Sequence, residues 1–144
     1  MFIGEYEHNM DPKKRLAMPS KFRTELGQTV VVTRGLDRCL FVYPMETWRE
    51  LAQKLGTMPI GDASTRSFVR LMLAGATDVT MDKQGRVVIP DYLKSYASIE
   101  KAVTVAGLFN RLEVWDTQRW HAYKKKAESN TDKVAQQLGE LGIY

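Results

Sequence analysis

The sequence is poor in the residue types that build catalytic and metal sites. It has one cysteine and two histidines in 144 residues, and His8 and His121 are too far apart in sequence to form a usual metal-ligand spacing. It also lacks a glycine-rich phosphate loop, a nucleophile elbow and paired carboxylates at helical spacing in a polar cleft. We therefore predict no catalytic residues, no metal site and no cofactor. Cys39 cannot form an internal disulfide and is interpreted as a small buried hydrophobic residue.

Long apolar runs are missing as well. No stretch is long enough to span a bilayer, and residues 1–5 lack the basic and apolar regions of a secretory signal. The sequence therefore predicts a cytoplasmic protein. Its hydrophobic share of 44% is ordinary for a globular protein, so we expect a folded body with a core.

Positive charge is present in excess and is unevenly distributed. Lysine and arginine outnumber aspartate and glutamate by 21 to 17, for a net charge of +4. In residues 13–34 a single acid, Glu25, accompanies six basic residues, which are Lys13, Lys14, Arg15, Lys21, Arg23 and Arg34. A second basic cluster contains Arg119, Lys124, Lys125 and Lys126. These clusters favour an anionic partner, although proteins that bind no nucleic acid also have basic surfaces.

The most informative pattern is an internal repeat. Residues 10–19 return as residues 81–90, and the shared pattern is Met-Asp-x-x-x-Arg-x-x-x-Pro. A second similarity relates residues 35–48 to residues 107–120 at a separation of 72 positions, against 71 for the first, which implies one inserted residue. Each repeat has only about 50 residues, so we expect the halves to pack together into one body. A duplicated unit that places two arginines in equivalent settings suits a ligand with two-fold symmetry, such as duplex DNA.

Turn signals stand at the centre of each motif. Residues 4–10 and 15–18 are predicted as the two strands of a hairpin, joined by a type I turn at residues 11–14. In the second copy, residues 82–85 suit a three-residue hairpin loop with Gly85 in the left-handed region. Lys14 occupies the corresponding position, where a side chain costs on the order of 1 kcal/mol relative to glycine. Either something compensates for that cost or the first turn differs.

The remaining pattern predicts alternating strands and helices. Short helices are expected after Pro19 and Pro90, at residues 20–26 and 91–97. Strands are predicted at residues 30–32, 39–43, 103–105 and 111–115, and longer helices at residues 45–55 and 117–127.

Two further helices are predicted outside the repeated segments. After a loop at residues 56–61, a helix begins at a cap provided by Asp62 or Ser64 and ends at Ala74. One face of this helix, formed by Phe68, Leu71, Met72 and Gly75, is expected to pack on the sheet, with subunit contact as the alternative. A tail helix from Thr131 carries the apolar stripe Val134, Leu138 and Leu141, which must bury itself on its own body or on a neighbour.

The two motif arginines are the main candidates for a binding site. Arginine presents five donors in a fixed fork that fits a phosphate or the edge of guanine. Arg15 and Arg86 follow tight turns directly, so we expect lysines on the turns to hold phosphates while Gln84 and the arginines reach base edges. The spacing equally fits arginines paired internally with Asp11 and Asp82. An aspartate can also orient a guanidinium that contacts DNA.

Two copies of Asp-x-x-x-Arg-x-x-x-Pro in a chain of this length resemble the MraZ family of bacterial regulators, which is associated with the division and cell wall gene cluster. The matching positions are Asp11, Arg15 and Pro19 in the first motif, and Asp82, Gly85, Arg86 and Pro90 in the second. Further likeness lies in residues 40–44 with Trp48, in residues 70–74, and in Phe109 and Asn110 with residues 113–115. The resemblance covers about residues 1–126.

This resemblance implies an α+β fold of two tandem SpoVT-AbrB-like units that form a swapped-hairpin β-barrel. The units would be related by a pseudo-two-fold axis and flanked by helices. Unit 1 would span residues 1–55 and unit 2 residues 75–127, with a connecting loop and helix at 56–74 and a tail helix at 128–144. Such proteins are similar to one another in forming ring-shaped homo-oligomers.

The resemblance also implies a transcriptional regulator, typically a repressor, that binds repeated short operator elements in double-stranded DNA and is nucleoid-associated. DNA contact would fall on Arg15 and Arg86, with Lys13, Lys14, Lys83 and Gln84 as loop neighbours. Structural roles in the motif would fall on Asp11, Asp82, Gly85, Pro19 and Pro90. The alternatives are an antitoxin-like module that binds a protein through its C-terminal segment, and an RNA-binding protein.

Overall fold

The computed structural model describes residues 1–143, so the last residue of the predicted tail segment, Tyr144, lies outside the described residues. The first repeat contains β1 (Phe2–Asn9), β2 (Arg15–Ala17), α1 (Ser20–Leu26), β3 (Thr29–Arg34), β4 (Leu40–Pro44) and α2 (Met45–Gly56). The connecting helix is α3 (Ala63–Ala74). The second repeat contains β5 (Thr77–Thr80), β6 (Arg86–Val88), α4 (Asp91–Tyr96), β7 (Ala102–Phe109), β8 (Leu112–Asp116) and α5 (Thr117–Glu128), and α6 (Thr131–Glu140) follows.

The helix starts that the sequence predicted are confirmed. α1 and α4 begin directly after Pro19 and Pro90, whose φ angles of −52° and −60° suit the entry to a helix. α3 is capped by Asp62, whose carboxylate accepts a hydrogen bond from the Thr65 N–H at 2.8 Å. These boundaries follow from local backbone chemistry, which is why they can be read from sequence.

The predicted hairpin between residues 4–10 and 15–18 is wrong. β1 pairs antiparallel with β7 of the second repeat, and β2 pairs with β6, also of the second repeat. On the other side, β5 pairs with β3 of the first repeat. The tight turn itself does form, but its two arms diverge and find partners in the opposite half. The repeats therefore exchange strands, and neither half has a complete sheet of its own.

The strands form a six-stranded sheet in the order β1-β7-β8-β4-β3-β5 and a separate two-stranded ribbon, β2-β6. β4 and β8 adjoin at the centre, where Leu40 faces Val114 and Val42 faces Leu112. This pairing is what a pseudo-two-fold axis between the repeats produces. Within residues 1–143 the backbone pairing does not close the sheet and ribbon into one barrel, and the barrel of the expected fold stays a prediction.

The strand register refines the internal repeat. Val32 faces Val42, and Val105 faces Val114, so β3 and β7 are equivalent at a separation of 73 positions and β4 and β8 at 72. The interpretation of a single inserted residue is therefore wrong. The second repeat has two more residues before β7 and one fewer in the turn that follows it. Gly35 and Gly107, which match in sequence, are consequently one position out of step in the sheet.

The sheet separates two apolar clusters. One face packs against the ribbon and the short helices α1 and α4, and this main core includes Leu16, Val87, Phe22 and Leu93, all nearly inaccessible to solvent. The other face packs against α2, α3 and α5 around Phe41, Tyr43, Met72 and Trp115. The ribbon is thus fixed to the core by its inner side chains, and its outer face is left for other contacts.

Two predictions about apolar faces are modified by the structure. In α3 the side chains in the second cluster are Val69, Met72 and Leu73, whereas Phe68 and Leu71 remain exposed. The predicted sheet-packing face is therefore right for Met72 and for the buried Gly75, and wrong for Phe68 and Leu71. The tail helix α6 is confirmed, but its predicted apolar stripe is not buried on its own body, because Val134 and Leu141 are 46% and 73% exposed. No helix in the described part of the chain is long and apolar enough to cross a membrane.

Candidate nucleic-acid interface

The β2-β6 ribbon has one apolar side and one basic side. Leu16 and Val87 face each other on the inner side and are completely buried, because successive side chains of a strand point to opposite faces. On the outer side Arg15 lies opposite Val88, and Arg86 lies opposite Ala17. The two motif arginines are therefore diagonal neighbours on one exposed surface, and they come from different repeats.

The turn before Arg15, called here the first turn (residues 11–15), is organised by Asp11. One carboxylate oxygen, Oδ1, accepts hydrogen bonds from the N–H groups of Lys13 at 2.9 Å and Arg15 at 2.8 Å. The other oxygen, Oδ2, accepts from the Arg15 Nε at 2.6 Å. The backbone N–H of Lys14 closes the turn by donating to the Asp11 carbonyl at 3.1 Å. One side chain thus stabilises the turn and orients the arginine that leaves it.

The second turn (residues 82–86) repeats this geometry closely. Asp82 Oδ1 accepts hydrogen bonds from the N–H groups of Gln84 and Arg86, both at 2.9 Å, and Oδ2 accepts from the Arg86 Nε at 2.7 Å. The N–H of Gly85 donates to the Asp82 carbonyl at 3.0 Å. The shared Asp-x-x-x-Arg spacing therefore encodes one local structure that is used twice.

The motif arginines are paired internally but are not enclosed. Each Nε is paired internally, yet the Arg15 and Arg86 side chains keep 27% and 29% of their surface exposed. The Arg86 Nη1 also lies 4.0 Å from Asp11 Oδ2, which links the two turns electrostatically. The pairing orients the guanidinium groups without enclosing them. Within the described residues, their Nη atoms make no protein hydrogen bond.

The hydrogen bonds also perturb the aspartates. Partial burial alone would raise the pKa of Asp11, but hydrogen bonds from the Arg15 N–H and guanidinium and from the Lys13 N–H outweigh it and hold that pKa below its ordinary value. The pKa of Asp82 is lowered above all by the Arg86 N–H. Both carboxylates therefore stay ionised at neutral pH and keep the arginines oriented.

The turn residues between the aspartate and the arginine are exposed in both copies. Lys13, Lys83 and Gln84 project from the turns into solvent. Lys14 has a φ of 62° and Gly85 a φ of 76°, so the first turn adopts the left-handed position in spite of its side chain. The Lys14 Nζ donates to Asp91 Oδ2 at 2.6 Å, and this hydrogen bond lowers the pKa of Asp91. The first turn thus keeps the same backbone, and its lysine is partly neutralised.

Sequence reasoning missed one residue at this surface. Arg23 was counted only as a member of the basic cluster, but its guanidinium lies directly against Gly85 of the second turn. A comparison of the two repeats could have drawn attention to Arg23. The residue equivalent to Arg23 is Lys94, and the residue equivalent to Gly85 is Lys14. A glycine in one copy and a lysine in the other indicate different neighbours at the two turns.

Elsewhere in residues 1–143 the candidate catalytic and metal-binding side chains are few. The His8 ring contacts the backbone of Asn9, and His121 Nε2 lies 3.0 Å from Glu7 Oε1. No group of three or more metal-ligating side chains occurs in this part of the chain. Cys39 is buried, as predicted, and burial raises the pKa of its thiol far above the ordinary range. A groove of about 670 Å³ lies between α5 and α6 and is mainly lined by apolar atoms of residues such as Tyr123, Val134 and Leu138.

Comparison with known proteins gives consistent matches over both repeats. A family model described as "MraZ protein", with the qualifier antitoxin-like, matches residues 1–71 and again residues 72–141. A protein of Halothermothrix orenii named "Transcriptional regulator MraZ" is 50% identical over 143 residues, which cover 99% of this chain and 100% of that one. Proteins of the same name from Clostridium beijerinckii and Clostridium tetani are 47% and 45% identical, again over 99% of this chain and 100% of their own.

Proposed function

Since the chain belongs to the MraZ family, we propose that it is a DNA-binding transcriptional regulator, not an enzyme, that reads duplex DNA with the outer face of its β2-β6 ribbon. The observation that carries this proposal is the pair of partly exposed, aspartate-braced arginines on one two-stranded ribbon. The major groove admits such a ribbon, and arginine is the commonest reader of its guanine edges. The Asp-x-x-x-Arg turns then give the ribbon its shape and supply the arginines that contact the bases.

The roles divide by chemistry. Arg15 and Arg86 contact base edges, because their free Nη groups can form a bidentate pair with guanine O6 and N7. Lys13, Lys14 and Lys83 contact phosphates, and Gln84 can reach an adenine or a phosphate. Asp11, Asp82 and Gly85 maintain the turns, while Pro19 and Pro90 start the helices that fix the ribbon to the core.

The regulator acts as a repressor at repeated short elements upstream of its own operon, in the division and cell wall gene cluster, and is associated with the nucleoid. We further propose that the exchanged strands and the ribbon belong to a swapped-hairpin barrel, with units at residues 1–55 and 75–127, the connector at 56–74 and the tail at 128–144. Homo-oligomerisation into a ring would present several ribbons at once, so that repeated elements are bound with avidity.

The test is a binding titration with the DNA that lies directly upstream of the coding region. Arg15→Ala and Arg86→Ala are each expected to weaken binding by about 5-fold to 150-fold, the range for one lost bidentate base contact of about 1–3 kcal/mol. Arg49→Ala is the matched control, because Arg49 is exposed on α2 on the opposite side of the sheet and carries the same charge. Undiminished affinity of both motif variants would contradict the proposed role.

A second candidate is an antitoxin-like protein-interaction module. It is supported by the apolar groove between α5 and α6 and by the exposure of Val134 and Leu141 on the tail helix. A stoichiometric protein partner that binds without DNA, and that is lost with residues 128–144, would favour this candidate. An RNA-binding protein would instead be indicated if structured RNA competed with the upstream duplex at equal concentration.

A further inference from the structure

Arg23 packs against the second turn, although it belongs to α1 of the first repeat. A Cβ atom built on Gly85 would overlap the Arg23 Nε and Cζ, so the guanidinium occupies the space that a side chain would need. The Arg23 Nε donates to the Met18 carbonyl at 2.9 Å. The Met18 N–H in turn donates to the Gly85 carbonyl at 2.9 Å. Both contacts hold the guanidinium in place beside the turn.

This arginine has no acidic partner in residues 1–143. The carboxylates of the chain that lie within 4.0 Å of a basic nitrogen are engaged by other groups, which are the amino terminus, Lys14, Arg15, Arg49, Arg86, Arg111, His121 and Lys124. Arg23 is half-buried, and a charge in that setting is normally paired. Its only hydrogen bond within the described residues uses Nε, so both Nη groups remain available.

We propose that Arg23 is a phosphate-binding residue of the second turn, an inference that rests on the proposed DNA binding. A groove of about 570 Å³ lies beside that turn and is lined by Arg23, Gln28, Met81, Asp82, Lys83 and Gly85. Asp82 lines this groove too, but its oxygens are occupied by the Gln84 and Arg86 donors. Lys83 and the Arg23 guanidinium therefore present the positive charge, and the planar fork of arginine matches two phosphate oxygens.

The first turn has no equivalent of this arrangement. Lys14 stands in place of Gly85, and its ammonium is paired with Asp91. The position equivalent to Asp91 is Ser20, so the second turn lacks the neutralising acid as well. The ribbon is therefore asymmetric in charge, and the second turn holds the DNA backbone more firmly than the first.

The experiment measures affinity for the upstream duplex as a function of salt. One lost phosphate contact lowers the slope of log K against log salt by about 1 for each chain on the duplex, and weakens binding about tenfold at 0.1 M salt. Arg23→Ala is expected to show both effects, and Arg23→Lys is expected to keep the slope because it keeps the charge. Arg49→Ala is the control for net charge, and a thermal melt verifies that each variant is folded.

The outcomes separate this inference from the proposed function. If Arg23→Ala binds with unchanged affinity and slope while Arg86→Ala binds weakly, Arg23 is not a phosphate contact and the ribbon still reads DNA. If Arg23→Ala loses affinity only in proportion to its unfolded fraction, with the slope unchanged, its role is structural and the inference is overturned. If Arg15→Ala, Arg86→Ala and Arg23→Ala all bind like the unsubstituted protein, the proposed function itself is wrong.

Discussion

The first and second turns share one backbone and one aspartate–arginine pairing, but their surroundings differ. In the first turn the left-handed position is held by Lys14, whose side chain reaches Asp91. In the second turn it is held by Gly85, and Arg23 covers it. The comparison teaches that a duplicated motif preserves the groups that make the turn. The groups around the turn differ between the two copies, and they give each copy a different charge and accessible surface.

The largest effect on stability is expected from Gly85→Ala. Alanine in this left-handed position costs about 1 kcal/mol relative to glycine, and its Cβ must also displace the Arg23 guanidinium. The free energy of unfolding from urea denaturation should therefore fall by about 2 kcal/mol. Lys14→Ala, the matched change in the first turn, should be nearly neutral, because a side chain is already present there.

The contact with Arg23 can be isolated by a double-mutant cycle. In the Arg23→Ala background the same Gly85→Ala change should cost only the backbone part, about 1 kcal/mol. Equal costs in both backgrounds would show that Arg23 and Gly85 do not interact, and would remove the main difference between the turns.

A smaller and opposite effect is expected from Lys14→Gly. Glycine relieves the left-handed strain, so the free energy of unfolding should rise by up to about 1 kcal/mol. The exposed ion pair with Asp91 that is lost contributes little. Lys13→Gly is the control, because Lys13 is not in the left-handed region and glycine there only adds freedom to the unfolded chain. Destabilisation by both variants would contradict the strain at Lys14.

The smallest effect is expected from acid titration, and it should be similar at the two turns. Because the pKa values of Asp11 and Asp82 are lowered in the folded state, the unfolded state binds more protons, so stability is present above about pH 4 and is lost as the pH falls below it. Asp11→Asn and Asp82→Asn should each flatten the decline in melting temperature between about pH 5 and pH 2. Glu50→Gln, on an exposed part of α2, is the control for charge. If the melting temperature of both aspartate variants falls on acidification as steeply as that of the unsubstituted protein, the ionised aspartates do not brace the turns.

The parts of the fold that could be predicted are those set by neighbours in sequence. Pro19 and Pro90 start the short helices, and Asp62 caps α3, because a proline ring or a cap acts within one turn of helix. The pairing of Asp11 with Arg15 was among the readings left open, since both groups lie on one five-residue turn. The exposure of Phe68 and Leu71 could not be foreseen, because helical spacing gives the period of a face but not the direction in which its neighbours lie.

The sequence by itself determined that the chain is duplicated, that each copy carries an Asp-x-x-x-Arg turn, and where the helices begin. Only the tertiary structure decided which strands pair, because β1, β2 and β5 take their partners from the other repeat and backbone hydrogen bonds do not depend on sequence separation. It also decided that Arg15 and Arg86 share one surface and that Arg23 lies on Gly85. These contacts join segments far apart in the chain, and local propensity carries no information about them.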